Sequence, residues 1–322
     1  MYRSIWKYPY LLGLSIILEA SCYPKPGNVH RLADLPNTNY YSFLLCGMYS
    51  IHWFKRGVRR GKRGWGKLVF GDLVYGVLRE VTKGGGANAC LGSLTLLSPL
   101  SVSIGYSIRS GDYSLSSFIE NVSEVLRSTT VYDAIYFYRA VRLVKPSHIK
   151  PGTAPSGYVD VWSHKYVREL LEKGHRLVDI LRASSEKEIV HDELIKGYPR
   201  SIEALGFLEE RLGIHGDFNR GVVETQLYLM SRFTDSLVVR KHGSSIALEI
   251  MRRSANILED VLSSRSEWYK PVLMFDRWLR NKGINPGSIA DIVVATIALY
   301  LLKHGTEAVN FEFTPLTLHI FG

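Results

Sequence analysis

Five short stretches of the 322-residue chain gather polar side chains at or near the ends of expected helices. Glu19 stands five residues ahead of Pro24-Lys25-Pro26-Gly27-Asn28-Val29-His30. Prolines on both sides of Lys25 fix φ, and Gly27 permits a tight bend, so an ammonium and the Asn28 amide would be held beside the helix carrying Glu19. A plain helix stop is the competing reading. Thr82-Lys83-Gly84-Gly85-Gly86-Ala87-Asn88 precedes a helix, where successive backbone N–H groups can receive an anion. It is neither a P-loop nor a GxGxxG pattern, and a flexible linker explains it as well. Asp133 lies on a helix with Tyr132, Tyr136 and Tyr138, with Asp112 upstream; a single Asp on a helix is usually solvated or a cap, and aromatics at helical spacing are usually core.

Asp235 and Arg240-Lys241-His242-Gly243 offer an acid for a cation and two bases for phosphates. They are about one and a half turns apart and cannot all share one face. Asn285-Pro286-Gly287-Ser288 with Asp291 resembles a capping box; alternatively Asp291 in the first turn reaches a cation while Asn285 and the free N–H groups meet a phosphate.

Helices must position them. Apolar residues recur at helical spacing almost throughout, so the fold class is all-α, a multi-helix bundle. The spacing predicts a first helix within 8–22, with Leu11, Leu14, Ile17 and Leu18 on one face, and further helices over 40–54, 68–81, 87–100, 115–128, 131–144, 160–183, 186–195, 198–212, 218–231, 234–262, 266–281 and 288–304. Pro99 should end or kink one of them, and Gly243 should relax another. Residues 145–157, with three prolines and two glycines, read as a loop that could divide two lobes of a single all-helical unit spanning 1–322. Only the tail, 308–321, alternates as a strand or short C-terminal β-hairpin does.

The net charge is +10, and residues 55–67 hold seven basic residues and no acid. A uniformly basic nucleic-acid coat is therefore not supported; the tract reads as a mobile loop, a lid over a polyphosphate, or an RNA contact with Trp65 for stacking. Three cysteines, Cys22, Cys46 and Cys90, argue against a disulfide framework and fit a reducing cytoplasm. Residues 8–22 could pass for a signal peptide ending in a lipid-modified cysteine, but Glu19 interrupts it. The run is also too short for a bilayer, and no later stretch is a convincing membrane span.

Taken in order, the segments resemble the triphosphoribosyl-dephospho-coenzyme A synthase family, in its shorter, archaeal-type branch. The resemblance is carried by Glu19 with Pro24 to His30, Asn88 with Leu91-Gly92, Tyr132-Asp133-Ala134, Asp235 to Gly243, and Asn285 to Asp291. It runs from about residue 11 to 303. Where the bacterial pattern has a His and acids after PKPG, and a Thr-His-Lys-Gly-like segment, this chain has Asn39-Tyr40-Tyr41 and Gly84 to Asn88.

The resemblance implies an all-helical transferase that moves the triphosphoribosyl group of ATP to the ribose 2′-hydroxyl of dephospho-CoA and releases adenine. It would serve prosthetic-group synthesis for acyl carrier proteins. It further implies Mg²⁺–triphosphate binding by Asp235 and Asp291. Phosphate and substrate contacts fall to Lys25, Asn28, Lys83, Asn88, Arg240, Lys241, Asn285 and Ser288. Catalytic carboxylate duty goes to Glu19 or Asp133. These acids should meet in one cationic cleft. The same chemistry on another acceptor, or RNA binding through 55–67, is the alternative.

Overall fold

The computed structural model describes residues 5–87, 90–264 and 266–310. The chain begins with α1 (Lys7–Ser21), α2 (Tyr40–Arg63), α3 (Gly71–Lys83) and α4 (Leu91–Arg109). Next come α5 (Leu115–Glu120), α6 (Val122–Arg127) and α7 (Val131–Val144). After a long loop follow α8 (Tyr166–Lys173), α9 (Leu177–Ser184), α10 (Ile189–Ile195), α11 (Pro199–His215) and α12 (Phe218–Arg232). The chain closes with α13 (Ser236–His242), α14 (Ser244–Ser263), α15 (Tyr269–Asn281) and α16 (Gly287–His304). Among the described residues the only β pairing is two isolated bridges, His30–Ala33 and Leu35–Thr38. The expected C-terminal hairpin falls mostly on residues 311–322, outside the described residues; Thr306–Ala308 form a single 3₁₀ turn.

Helix α16 is the post around which the others assemble. It packs on α1 and α4 from the first half of the chain and on α10, α11 and α12 from the second. Its residues from Ile292 to Leu299 are buried almost without exception. Apolar burial on every side explains why its sequence shows no clear amphipathic stripe. Helices α4 and α16 are the two described helices long and apolar enough to cross a membrane, and both lie largely inside the bundle.

Three local expectations are overturned, each for a packing reason. The basic tract is not a loop: α2 continues to Arg63. Gly57 and Gly61, one turn apart, are where α2 and α4 touch, since a Cβ at Gly57 would overlap Ser101 Oγ and one at Gly61 would overlap the Val102 carbonyl. The glycines that read as loop punctuation are contact residues. Pro99 does not end its helix, which runs through it to Arg109; a proline removes one donor, and the close seam with α2 holds the rest. The predicted 115–128 helix is broken at Asn121, whose Nδ2 donates to Ser107 Oγ and Ser117 Oγ at 2.9 and 3.0 Å.

The cysteine expectation is corrected too. Cys46 on α2 is disulfide-bonded to Cys90, which immediately precedes α4, and Cys22 is a buried free thiol. Nothing in the spacing of 44 residues could show that α2 and α4 lie side by side.

Candidate active site

A cavity of about 200 Å³ lies where α1, α4, α7, α10, α13 and α16 converge. Seven of the twelve sequence-nominated residues line it: Glu19, Lys25, Asn28, Arg240, Asn285, Ser288 and Asp291.

The PKPG segment supplies the first group. It is pinned from behind. Asn219 of α12 accepts from Tyr23 N (2.8 Å) and donates to Tyr23 O (2.7 Å). Asp276 of α15 accepts from Gly27 N at 2.8 Å and is itself held by Arg280 Nε at 2.9 Å. Lys25 is thereby buried with its Nζ 2.5 Å from Glu19 Oε1 and 3.1 Å from the Val29 carbonyl to which it donates. Burial raises the Glu19 pKa, and Lys25 opposes that rise. Asn28 donates to Asn285 Oδ1 at 2.6 Å and accepts from Gln226 Nε2 at 2.5 Å, which ties the segment to α12 and to the start of α16.

Asp291, in the first turns of α16, faces the first turn of α4. Ser93 Oγ donates to its Oδ1 at 2.5 Å, and a Cβ at Gly92 would overlap its carboxylate. Part of Asp291 stays accessible, yet protein surrounds it, and desolvation lifts its pKa to about 8, with Glu19 and Glu188 adding repulsion. The first turns of α4 and α16 both line the cavity, and free N–H groups there carry a partial positive charge.

Arg240 is held by Glu188 (2.6 Å) and donates to the Lys187 carbonyl (3.0 Å). Glu188 was not foreseen. It caps α10, and it accepts from Ser236 Oγ at 2.7 Å; Ser288 Oγ lies 3.4 Å away. Despite burial, His191 and Arg240 hold its pKa down. His191, three residues on, also lines the cavity, and Ser184 Oγ contacts its Nδ1 at 2.7 Å. His148, from the loop after α7, lines it as well; burial and the charges of Arg240 and Lys241 push its pKa down to about 4. The Glu-x-x-His spacing of residues 188–191 was the available signal: two polar groups three residues apart share one helix face.

Four nominated residues stand elsewhere, so the four acids do not share one cleft. Asp133 is fully buried: its Oδ1 accepts from Val69, Phe70 and Gly71 N (2.8–2.9 Å) and its Oδ2 from Thr130 N (2.9 Å). Asp235 caps α13 through Val238 N (3.0 Å) and binds Ile289 N of α16 (2.8 Å); burial raises its pKa to about 6. Both carboxylates are occupied by backbone. Lys83 and Lys241 are exposed and line no part of the cavity. Asn88 lies outside the described residues.

Buried acids, bases and helix N-termini around one cavity of an all-α bundle are the equipment of an enzyme for anionic substrates. The particular family follows from comparison: the chain belongs to the CitG family, ATP:dephospho-CoA triphosphoribosyl transferase, which matches residues 6–310. It is thus a transferase of the triphosphoribosyl-dephospho-CoA synthase kind. The fold is shared with the crystal structure of a "putative triphosphoribosyl-dephospho-coA synthase" from Archaeoglobus fulgidus, at TM-score 0.61 and 22% identity, covering 81% of this chain and 99% of that one. No curated protein matches the chain.

Proposed function

We propose that this transferase moves the triphosphoribosyl group of ATP to the ribose 2′-hydroxyl of dephospho-CoA, with release of adenine. The observation that carries the reading is the joint placement of Glu19, Lys25, Arg240 and Asp291 on one cavity edged by the first turns of α4 and α16. A triphosphate needs cations and backbone donors; Lys25, Arg240 and those turns supply them. Departure of adenine leaves oxocarbenium-like charge at the anomeric carbon, which a carboxylate stabilises. The incoming hydroxyl must lose a proton, and a carboxylate of raised pKa accepts one more readily. Glu19 is the buried acid placed for either duty.

Mg²⁺ fits the donor set as a companion of the nucleotide. Among the described residues no three metal-ligating side chains cluster, which suits an ion usually bound through one or two carboxylates plus substrate phosphates. Asp291, whose pKa is raised first by desolvation and then by the nearby Glu19 and Glu188, marks a place where a cation would offset negative charge; it takes this role without Asp235. Bound there, the ion would neutralise phosphate charge.

The test is incubation with ATP and Mg²⁺, with and without dephospho-CoA, of the unaltered protein and Asp291→Asn. Adenine should appear only with the acceptor and disappear in the variant, whose thermal midpoint should stay within a few degrees because Asn mimics the neutral acid. Adenine from ATP alone would indicate nucleotide cleavage instead, and an unfolded variant would make Asp291 a structural group.

A further inference from the structure

A second, open groove of about 860 Å³ lies on the other side of the Glu188–Arg240 ion pair, and Arg240 lines both spaces. Transfer between two nucleotides requires both reacting atoms within about 3–3.5 Å. The inner cavity, at about 200 Å³, is smaller than the roughly 300–1,000 Å³ of pockets that enclose a whole drug-sized ligand. It has room for part of one nucleotide and not for two. The second substrate must enter from an adjoining space, and the groove adjoins it through Arg240, with the starts of α10 and α13 lining both.

The groove's lining also has the right chemistry. Lys187 faces it with no carboxylate partner among the described residues. Asp192 is answered by both Lys196 and Arg200 at 2.8 Å, so Glu186 is the remaining acid. Arg200 lies 5.0 Å over the Phe233 ring and keeps a buried Nε without a hydrogen-bond partner. Phe233 and the exposed Leu248 make an apolar strip beside these cations. A cationic end continuous with an apolar strip matches a nucleoside diphosphate that carries a long uncharged arm.

We infer that this groove is the acceptor subsite: dephospho-CoA lies with its diphosphate at Lys187 and its pantetheine arm over Phe233 and Leu248. The 2′-hydroxyl then reaches the inner cavity past the Glu188–Arg240 pair. This rests on the transferase reading above.

Lys187→Glu and Leu248→Asp are both exposed changes, and neither residue lines the inner cavity. Calorimetric titration of the full chain with dephospho-CoA and, separately, with Mg-ATP tests the assignment. Each variant should weaken dephospho-CoA binding tenfold or more and raise its KM, while the Kd for Mg-ATP stays within twofold. Unchanged dephospho-CoA binding in both variants, while the unaltered protein still releases adenine on adding acceptor, overturns the groove alone. Equal weakening of both ligands overturns it by making the groove part of the donor site. Failure of the unaltered protein to bind dephospho-CoA overturns the transferase reading, and the groove with it.

Discussion

Two corners of the molecule bury a carboxylate near a helix start, and they do so to opposite ends. At the Asp133 corner, four backbone N–H groups from two segments converge on one side chain. The acid fastens the start of α3 to the start of α7. At the Asp291 corner the carboxylate meets one residue, Ser93, through its hydroxyl and its backbone, and its charged neighbours are other acids, Glu19 and Glu188. Backbone donors favour the charged form of a carboxylate, whereas burial and neighbouring acids favour the neutral one. The lesson is that burial alone does not separate a fastening from a reactive group. The partners do.

The largest expected effect would break the first corner. Asp133→Asn places an amide NH₂ among N–H donors and should lower unfolding stability by on the order of 3–5 kcal/mol, because several buried donors lose their acceptor. Urea denaturation checks it; a loss under about 1 kcal/mol would mean the corner re-pairs.

The second corner can be sharpened through pH, with EDTA present to remove metal. The folded pKa of Asp291 is raised from 3.8 to about 8. Between those values the folded state keeps a proton that the unfolded state has lost, so this group's contribution to stability is full below about pH 4 and falls as pH rises to about 8. The slope is at most about 1.4 kcal/mol per pH unit. Subtracting the Asp291→Asn profile from that of the unaltered protein isolates it. A flat difference across pH 4–8 would mean the carboxyl ionises normally.

The contrast between the corners also explains how far the sequence could be read. Helix α7 is legible to the residue, Val131–Val144, because Thr130 caps it and its apolar positions fall on one face. The end of α2 is not, because Gly57 and Gly61 have meaning only against α4. The cavity residues near proline or glycine, such as Glu19, Lys25, Asn285 and Asp291, announced themselves through composition at helix ends. Asp133 and Asp235 announced themselves in the same way, and no local pattern tells a cap that fastens from an acid left free, since the donors come from residues 69–71 and 289. Glu188 and His191 lie in a stretch already dense with charge, residues 186–193, with no proline or glycine to set them apart. The Cys46–Cys90 bond depends on the same long-range packing.

The smallest expected effect concerns neighbours on one short helix. Arg240 and Lys241 differ by one position, about 100° around α13. Arg240 reaches the cavity and Glu188, whereas Lys241 is exposed. Lys241 touches the site only as a field, the weaker of two cations that depress the pKa of His148 after burial has done most of it. Lys241→Ala should therefore change stability by less than about 0.5 kcal/mol and leave kcat/KM within twofold at neutral pH, where His148 stays neutral either way. Arg240→Ala strands Glu188 and removes a phosphate donor, so kcat/KM should fall by about 10–100-fold, the equivalent of one charge-assisted hydrogen bond. Steady-state kinetics on the two variants compare them directly. Equal losses would mean that the phosphate site is built from diffuse charge, and that the corner holding Asp291 is defined by net potential rather than by the Glu188–Arg240 contact.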